Sequence, residues 1–587
     1  MVASKKKTHA ARAKTSVPSA QPKRTQAAKT RSGAKAPRRR VPAQRDKWVG
    51  LMPSPVNRVA LSPVTFLPRA AEIHPDRIAV VHGERRITYR EFHERAKRLG
   101  SALRRRGVKQ GDVVAAMLPN VPAMLDAHFG VPMIGAVLNA INTRLDADTV
   151  AYILEHGEAK VLITDREFSG VVGPALAKVK RKILVIDSDD SLYTGAGERV
   201  GSIEYEAFLK EGTPDLKWSL PEDEYAPIAL NYTSGTTGRP KGVVYHHRGA
   251  FLESCSDIMG WPLPAAPIYL WTLPLFHCNG WCYSWAITAM AGTHICLRKV
   301  DPAMVFDLIA EHRVTHMCGA PTVLAMLINL PADQRRSFDH IVQLQTGGSP
   351  PPAKVLKAME DLGFQVLHIF GMTELHGAST TCAPQEAWQS LPDEERATRM
   401  ARQGVRMPVI DGHIVGDPRT CKPVPQDGKT MGEILIRGNT VMLGYLKDAK
   451  ATAEAFAGGW MHSGDLAVWH ADNYVEIKDR KKDIIISGGE NISSVEIETA
   501  LYRHPAVALA AAVAQPDEKW GEAPCVFVQL KPDAQVSEAD IIEHCRSHLA
   551  RFKLPKRVVI GAVPVTATGK IQKYALRERA RELVTAG

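Results

Sequence analysis

Tyr232-Thr233-Ser234-Gly235-Thr236-Thr237-Gly238-Arg239-Pro240-Lys241-Gly242 decides how this chain is read. It follows a short apolar run, Ile228 to Leu230, that reads as a buried strand. Glycines let a backbone approach a ligand closely and take positive φ. Consecutive N–H groups and hydroxyls supply donors, and Lys241 adds a point charge. Together they describe a loop that cradles phosphates. It is not a Walker loop, because the GxxxxGK[ST] spacing is not met. The alternative is a flexible surface turn, and so many of these residues directly after a buried strand argue against it.

Outward from this loop, apolar runs alternate with helical patterns. Ile87-Thr88-Tyr89 opens a strand-then-helix unit in which Phe92, Ala96, Leu99 and Leu103 share a helix face and Gly107 ends the helix. Strands are expected at Val113 to Leu118, Val161 to Ile163, Ile183 to Ile186, Ile268 to Leu273 and Val366 to Phe370. Such alternation implies an α/β fold with stacked, largely parallel sheets. The charged cluster Asp479-Arg480-Lys481-Lys482-Asp483 sits between two apolar runs and leaves a remainder the size of one small domain. Three parts are therefore expected: a disordered basic tail (1–45), a large N-terminal domain (46–481) and a small, mobile α+β C-terminal domain (482–587), with the hinge at Lys482.

The 587 residues carry a net charge of +13. Residues 1–45 hold seven Lys and seven Arg and no acidic residue, so the rest of the chain is near neutral. The tail is too poor in apolar residues to offset its ordering entropy. It reads first as a solubilising extension, with weak polyanion or membrane contact, or a transit peptide, as sharper readings. It has no apolar h-region, so a secretory signal is not expected. No apolar run approaches the roughly 20 residues of a membrane span. Nine scattered cysteines include no CxxC pair, which excludes a zinc cluster and suits reduced thiols. The terminal Thr-Ala-Gly is not a peroxisomal address, and a cytoplasmic location is expected.

The loop matches residue for residue the [ST]-[ST]-G-T-T-G-x-P-K-G signature of the adenylate-forming superfamily, which this chain resembles from about residue 58 to 580. That superfamily includes acyl-CoA synthetases, firefly-type luciferases and peptide-synthetase adenylation domains. Thr233, Ser234, Gly235, Thr236, Thr237, Gly238 and Lys241 are then the expected phosphate contacts. Phe370-Gly371-Met372-Thr373-Glu374 is similar to the family's aromatic-G-x-T-E element. An aromatic ring suits adenine, a hydroxyl the α-phosphate and a carboxylate Mg²⁺. Phenylalanine stands where tyrosine is common. Gly348 and Ser349 match a turn whose backbone borders adenine. Asp465, in Trp460-Met461-His462-Ser463-Gly464-Asp465, matches the ribose-binding aspartate, and Arg480 the arginine that meets ribose and phosphates.

Lys570, in Thr568-Gly569-Lys570-Ile571, matches the lysine that catalyses adenylation with Thr373 and Glu374. The family uses one site for two reactions by rotating its small domain, which would withdraw Lys570 and bring in Ser487-Gly488-Gly489-Glu490-Asn491. Gly488 and Gly489 are the expected coenzyme A tunnel residues. The coumarate-ligase branch has lysines where this chain has Ile486 and Gly488, so those side-chain roles are not carried over. Phe276-His277-Cys278-Asn279-Gly280-Trp281 looks like the acyl-pocket motif, with His277 orienting the carboxylate and Trp281 as a wall. No aspartate stands at His277, which argues against an amino-acid substrate.

The resemblance thus implies an AMP-forming acyl-CoA synthetase, closest to the plant and bacterial acyl-activating branch. It would use ATP, Mg²⁺ and coenzyme A on a small fatty or aromatic acid, short- to medium-chain or benzoate-like. The alternatives are an adenylate-forming ligase with a carrier-protein acceptor, a luciferase-like oxygenase, or a binding protein whose basic tail is the function. No stable nucleic-acid partner is expected, and homodimerisation is left open.

Overall fold

The computed structural model describes residues 51, 53–233, 239–348, 353–488, 490–565 and 571–585. The basic tail, Ser234 to Gly238, Ser349, Gly489 and Lys570 lie outside the described residues. Contacts group Ala60–Gly587 into one compact unit, described here.

Two large sheets form the body. The nine-stranded sheet has a parallel centre built from Ile78–His82, Thr293–Ile295, Ile268–Leu270, His316–Cys318, Val342–Gly347 and Phe364–Met372. Antiparallel strands close both of its edges. The eight-stranded sheet runs parallel from Pro227–Thr233 through Val137–Ala140, Val113–Met117, Ala159–Asp165 and Leu184–Ser188 to Ile203–Glu204. The central strands are apolar on both faces because helices cover them. The helix Tyr89–Arg105 shows the local logic. Thr88 and Glu91 form a capping box at its start, Gly107 follows its end at φ +86°, and Phe92, Ala96, Leu99 and Leu103 are fully buried.

Two smaller sheets complete the unit. Ile410–Gly416, Met431–Gly438, Met461–Trp469 and Val475–Arg480 form an antiparallel four-stranded sheet that the strand-helix alternation did not foreshadow. Past residue 484, a five-stranded sheet packs against the helices Ser494–Tyr502, Glu538–Arg546 and Lys573–Thr585 around its own core of Ile485, Ile497, Val526 and Val558. The α/β class holds for the two large sheets, and the part past residue 484 is α+β, as expected.

Several boundaries differ from the sequence expectations. The strand expected at Ile268 to Leu273 ends at Leu270, because Trp271 to Phe276 turn away toward the site. The strand leading to the phosphate loop extends to Thr233 and pairs antiparallel with Lys241–His246, with Thr233 opposite Lys241. The strands that flank the loop are therefore paired with each other by backbone hydrogen bonds, an antiparallel hairpin at the edge of the parallel strands.

Candidate nucleotide and acyl site

The root of this hairpin is fixed from both sides. Tyr232 hydroxyl meets His156 Nδ1 at 2.8 Å, and Arg239 lies over the Tyr152 ring at 5.4 Å. On the other side, Tyr445 pairs with Val243 as the neighbouring strand, which carries its ring under Lys241. Lys241 Nζ sits 4.8 Å from the ring centroid, and the Tyr445 hydroxyl donates to Glu374 Oε1 at 2.8 Å. One tyrosine thus joins the cation of the phosphate loop to the carboxylate expected to face the metal. Sequence reading missed Tyr445, since a lone tyrosine 204 residues from Lys241 carries no local signal.

Glu374 is buried on a 3-10 turn, Thr373–Leu375, that follows the strand Phe364–Met372. Burial pushes its carboxyl above the usual range, and the Tyr445 hydroxyl and the Arg480 charge oppose that push. Phe370 is buried at the strand end, while Gly371 is exposed and Met372 and Thr373 are half-buried. Gly371 admits no side chain, since a Cβ there would lie 1.9 Å from the Gly377 carbonyl oxygen. This close approach lets the chain reverse into Gly377–Thr381 and presents Thr373 and Glu374. Gly348, at φ +109°, turns away from the adjacent parallel strand.

Asp465 and Arg480 are brought together across two strands, with Nε to Oδ1 at 3.1 Å. Asp465 does not sit in a free turn. It lies within the strand Met461–Trp469, at a bulge where Gly464 takes φ +74° and donates its N–H to Glu433 Oε1 at 2.9 Å. A bulge re-aims side chains that regular pleating would send to opposite faces.

The acyl motif folds in a way the sequence did not foretell. Cys278, Asn279, Gly280, Trp281 and Cys282 all take positive φ, between 47° and 61°. Each non-glycine residue in this region costs roughly 1–2 kcal/mol, so the turn persists only because its surroundings hold it. Cys278 Sγ lies 3.2 Å from Thr373 Oγ1, and Cys282 Sγ–H donates to the His376 carbonyl at 3.5 Å. The Trp281 indole lies against the Gly347 backbone, 3.4 Å from where a Cβ would be. His277 is half-buried at the start of the turn. His277 and Trp281 therefore stand next to the nucleotide turns. Behind them Trp271, Tyr269, Tyr283 and Trp285 are fully buried.

The segment after Arg480 is tied to the last helix. Lys573 Nζ donates to Ser494 Oγ at 2.6 Å and pairs with Glu498 at 2.7 Å. Ser494 bonds Asp479, and Arg577 pairs with Asp483. Burial works against the Lys573 ammonium, but Glu498, Asp479 and Asp483 outweigh it and its pKa rises. Between them, the Lys482 ammonium is pushed down to about 8, first by desolvation and then by Arg480. Gly488, at φ +60°, makes room for the Trp520 ring, whose Cε3 would lie 2.6 Å from a Cβ there.

For Mg²⁺ the donor set fits. Glu374 offers a hard carboxylate beside the Thr373 hydroxyl, and among the described residues no group of three or more His, Cys, Asp and Glu side chains gathers to cage a metal by itself. Mg²⁺ is commonly held by one or two carboxylates with phosphates and waters completing its shell. Among the described residues, no helix is long and apolar enough to cross a membrane.

Comparison with known proteins agrees with this geometry. Residues 67–446 match the family model for AMP-binding enzymes, and residues 496–570 that for the AMP-binding enzyme C-terminal domain. An acetate/butyrate–CoA ligase of Arabidopsis thaliana, described as peroxisomal, is 49% identical over 90% of this chain and 96% of its own length. An acetate–CoA ligase of Humulus lupulus is 50% identical over 90% and 96%. The structure of an O-succinylbenzoate coenzyme A synthetase from Bacillus subtilis, in complex with ATP and magnesium ion, superimposes with a TM-score of 0.74 at 26% identity, covering 88% of this chain and 98% of that one. This chain belongs to the AMP-binding enzyme family and is an AMP-forming acyl-CoA ligase.

Proposed function

We propose that the chain joins a short-chain carboxylic acid to coenzyme A through an acyl-adenylate. The observation that carries this is the line Lys241–Tyr445–Glu374, which places a phosphate-loop cation and a buried carboxylate on one tyrosine, beside the ribose-type pair Asp465–Arg480. In the first half-reaction the substrate carboxylate attacks the α-phosphorus, and the bond to pyrophosphate breaks. Lys241 and the hairpin donors hold the β- and γ-phosphates, Thr373 meets the α-phosphate, and Asp465 accepts from the ribose hydroxyls. Glu374 would hold Mg²⁺, which when bound would supply charge neutralisation of the phosphates. In the second half-reaction the thiol of coenzyme A attacks the acyl carbonyl and AMP leaves.

Site roles follow from the same reading. Lys570 stabilises charge in the adenylation transition state, Gly348 and Ser349 border adenine with Phe370, Gly371 and Met372, and Gly488 and Gly489 open the coenzyme A path. The domain boundary lies at 481/482, and rotation about Lys482 exchanges the two half-reactions. The relatives' acetate and butyrate names and the filled aromatic layer behind Trp281 support a short acyl chain. A cytoplasmic location is proposed, with reduced thiols, and fractionation of tagged protein tests it.

The deciding experiment is AMP release from ATP across a panel from acetate to octanoate, plus benzoate and cinnamate. Highest turnover is expected at two to four carbons and only with coenzyme A present. Equal pyrophosphate release with and without coenzyme A would favour another acceptor, such as a carrier protein. No AMP release with any acid would end the reading.

Tyr445→Phe gives a pH test. The Tyr445 hydroxyl lowers the Glu374 pKa, so its loss raises it. Adenylation needs the ionised carboxylate, and its rate falls as pH drops through that pKa. In the Tyr445→Phe variant this acid limb should move to higher pH in a pyrophosphate-exchange profile, with little change at the alkaline end. An unmoved limb would remove Glu374 from the titration.

A further inference from the structure

The left-handed turn Cys278–Cys282 reaches three segments around the candidate nucleotide site. Cys278 reaches Thr373, Trp281 lies on Gly347, and Cys282 reaches the His376 carbonyl. The link to the phosphate hairpin runs through Asn279. Its side chain is fully buried, and Asn231 Nδ2 donates to its Oδ1 at 2.6 Å. Its own Nδ2 meets His128 Nε2 at 3.2 Å.

The direction of this relay is fixed by chemistry. His128 Nδ1 lies 2.7 Å from the Met124 carbonyl, which only accepts, so Nδ1 carries the proton and Nε2 is the acceptor. Asn279 therefore donates to His128 and accepts from Asn231. His128 is fully buried, which pushes its pKa down to about 4, so the relay keeps one arrangement at neutral pH. Asn231 stands on the strand Pro227–Thr233, two residues before its end, where the phosphate loop begins.

Asparagine is also the residue suited to this backbone. Apart from glycine, Asn and Asp are the types that visit the left-handed region most readily. Gly280 must be bare, because a Cβ there would lie 2.7 Å from the Trp271 ring. Asn279 thus combines an uncommon backbone with two directional hydrogen bonds, neither of which touches substrate.

We propose that Asn279 is a positioning residue that locks the acyl-pocket turn to the root of the phosphate hairpin, so that the acid carboxylate and the α-phosphate are held in line. This rests on the adenylation reading. The carboxylate is placed by the turn and the phosphates by the hairpin, and the reaction needs both within a near-attack distance. Transfer to coenzyme A starts from an acyl-adenylate already formed, so it depends less on this link.

The test is Asn279→Ala in the full-length enzyme, measured by pyrophosphate exchange and, separately, by thioester formation from supplied acyl-adenylate. Adenylation turnover is expected to fall roughly 10- to 100-fold, the order of loss that misplacement by about 1 Å produces. KM values for acid and ATP, and the thioester step, are expected to stay within about 3-fold. Asn231→Ala cuts the same link from the other end and should give the same pattern. The double variant should then lose no more than the worse single one, because coupled residues are non-additive. Should Asn279→Ala fail to fold, Asn231→Ala, which leaves the turn intact, decides the matter on the same measurements. Unchanged adenylation, equal loss in both half-reactions, or multiplied losses in the double variant would overturn the proposal. A parent enzyme without adenylation activity would instead sink the functional reading itself.

Discussion

Replacing Lys570 by alanine is expected to slow acyl-adenylate formation by roughly 100- to 1000-fold, the usual cost of deleting one preorganised contact to developing charge. That corresponds to about 3–4 kcal/mol of transition-state stabilisation. The physical reason is the charge that builds on the α-phosphoryl oxygens and on departing pyrophosphate as the carboxylate attacks. An ammonium aimed there favours the transition state over the bound substrates, so turnover should fall more than affinity. Thioester formation from supplied acyl-adenylate breaks no phosphoanhydride and should stay near the parent rate. The helix that follows, Lys573–Thr585, is anchored through Lys573 to Ser494 and Glu498 and through Arg577 to Asp483, so loss of Lys570 should leave the small domain in place. Pyrophosphate exchange and the isolated second half-reaction, measured side by side, check this. Equal damage to both would remove Lys570 from its role.

Glu374→Gln is expected to be as severe in rate and opposite in stability. The amide keeps the volume and still accepts from Tyr445, but it carries no charge for Mg²⁺ or for the phosphates beside it. Adenylation should fall by at least about 100-fold. In the unliganded fold, burial holds the Glu374 carboxyl above its usual pKa. A carboxyl whose folded pKa exceeds its unfolded one favours folding below the unfolded pKa, and that contribution is lost as pH rises through the folded value. Above that range the ionised Glu374 costs stability, and glutamine removes the cost. Thermal unfolding at neutral to alkaline pH should therefore show an equal or higher midpoint for Glu374→Gln. A variant with near-parental turnover, or one clearly less stable, would contradict this account. Such an exchange of stability for activity is common where a site buries charge for its chemistry.

The sequence analysis and the structure agree on what local pattern controls. The helix Tyr89–Arg105 was legible from its apolar spacing and its terminal glycine, and its buried face contains the four residues expected. Alternating strands and helices implied the parallel sheets. The motif residues Thr233, Lys241, Thr373, Glu374, Asp465 and Arg480 were singled out because each stands in a short run whose chemistry is specific; the structure sets Asp465 against Arg480 and joins Lys241 to Glu374 through Tyr445. Less was legible where geometry depends on distant chain. The run before the phosphate loop read as a lone buried strand, and only the fold pairs that strand with Lys241–His246. Asp465 was read as a ribose contact from its motif alone, and pairing with Val475–Arg480 placed it on a bulged strand opposite its arginine. Tyr445 and Asn231 gave no signal, and Asn279 stood inside the acyl-pocket motif without a role of its own, since their meaning lies in partners tens to hundreds of residues away.

The chain by itself determined the α/β class, the near-neutral charge of the body and the types of side chain available to hold a nucleotide. These follow from periodicity, composition and short-range spacing, which act within a few residues. Tertiary structure alone decided that Tyr445 joins Lys241 to Glu374, and that burial pushes the Glu374 carboxyl up. It also decided that five consecutive residues, Cys278 to Cys282, wind left-handed against Thr373 and Gly347. The physical reason is that strain, desolvation and hydrogen-bond direction depend on the groups that close around a residue, and those groups are brought there by packing of segments far apart in the chain.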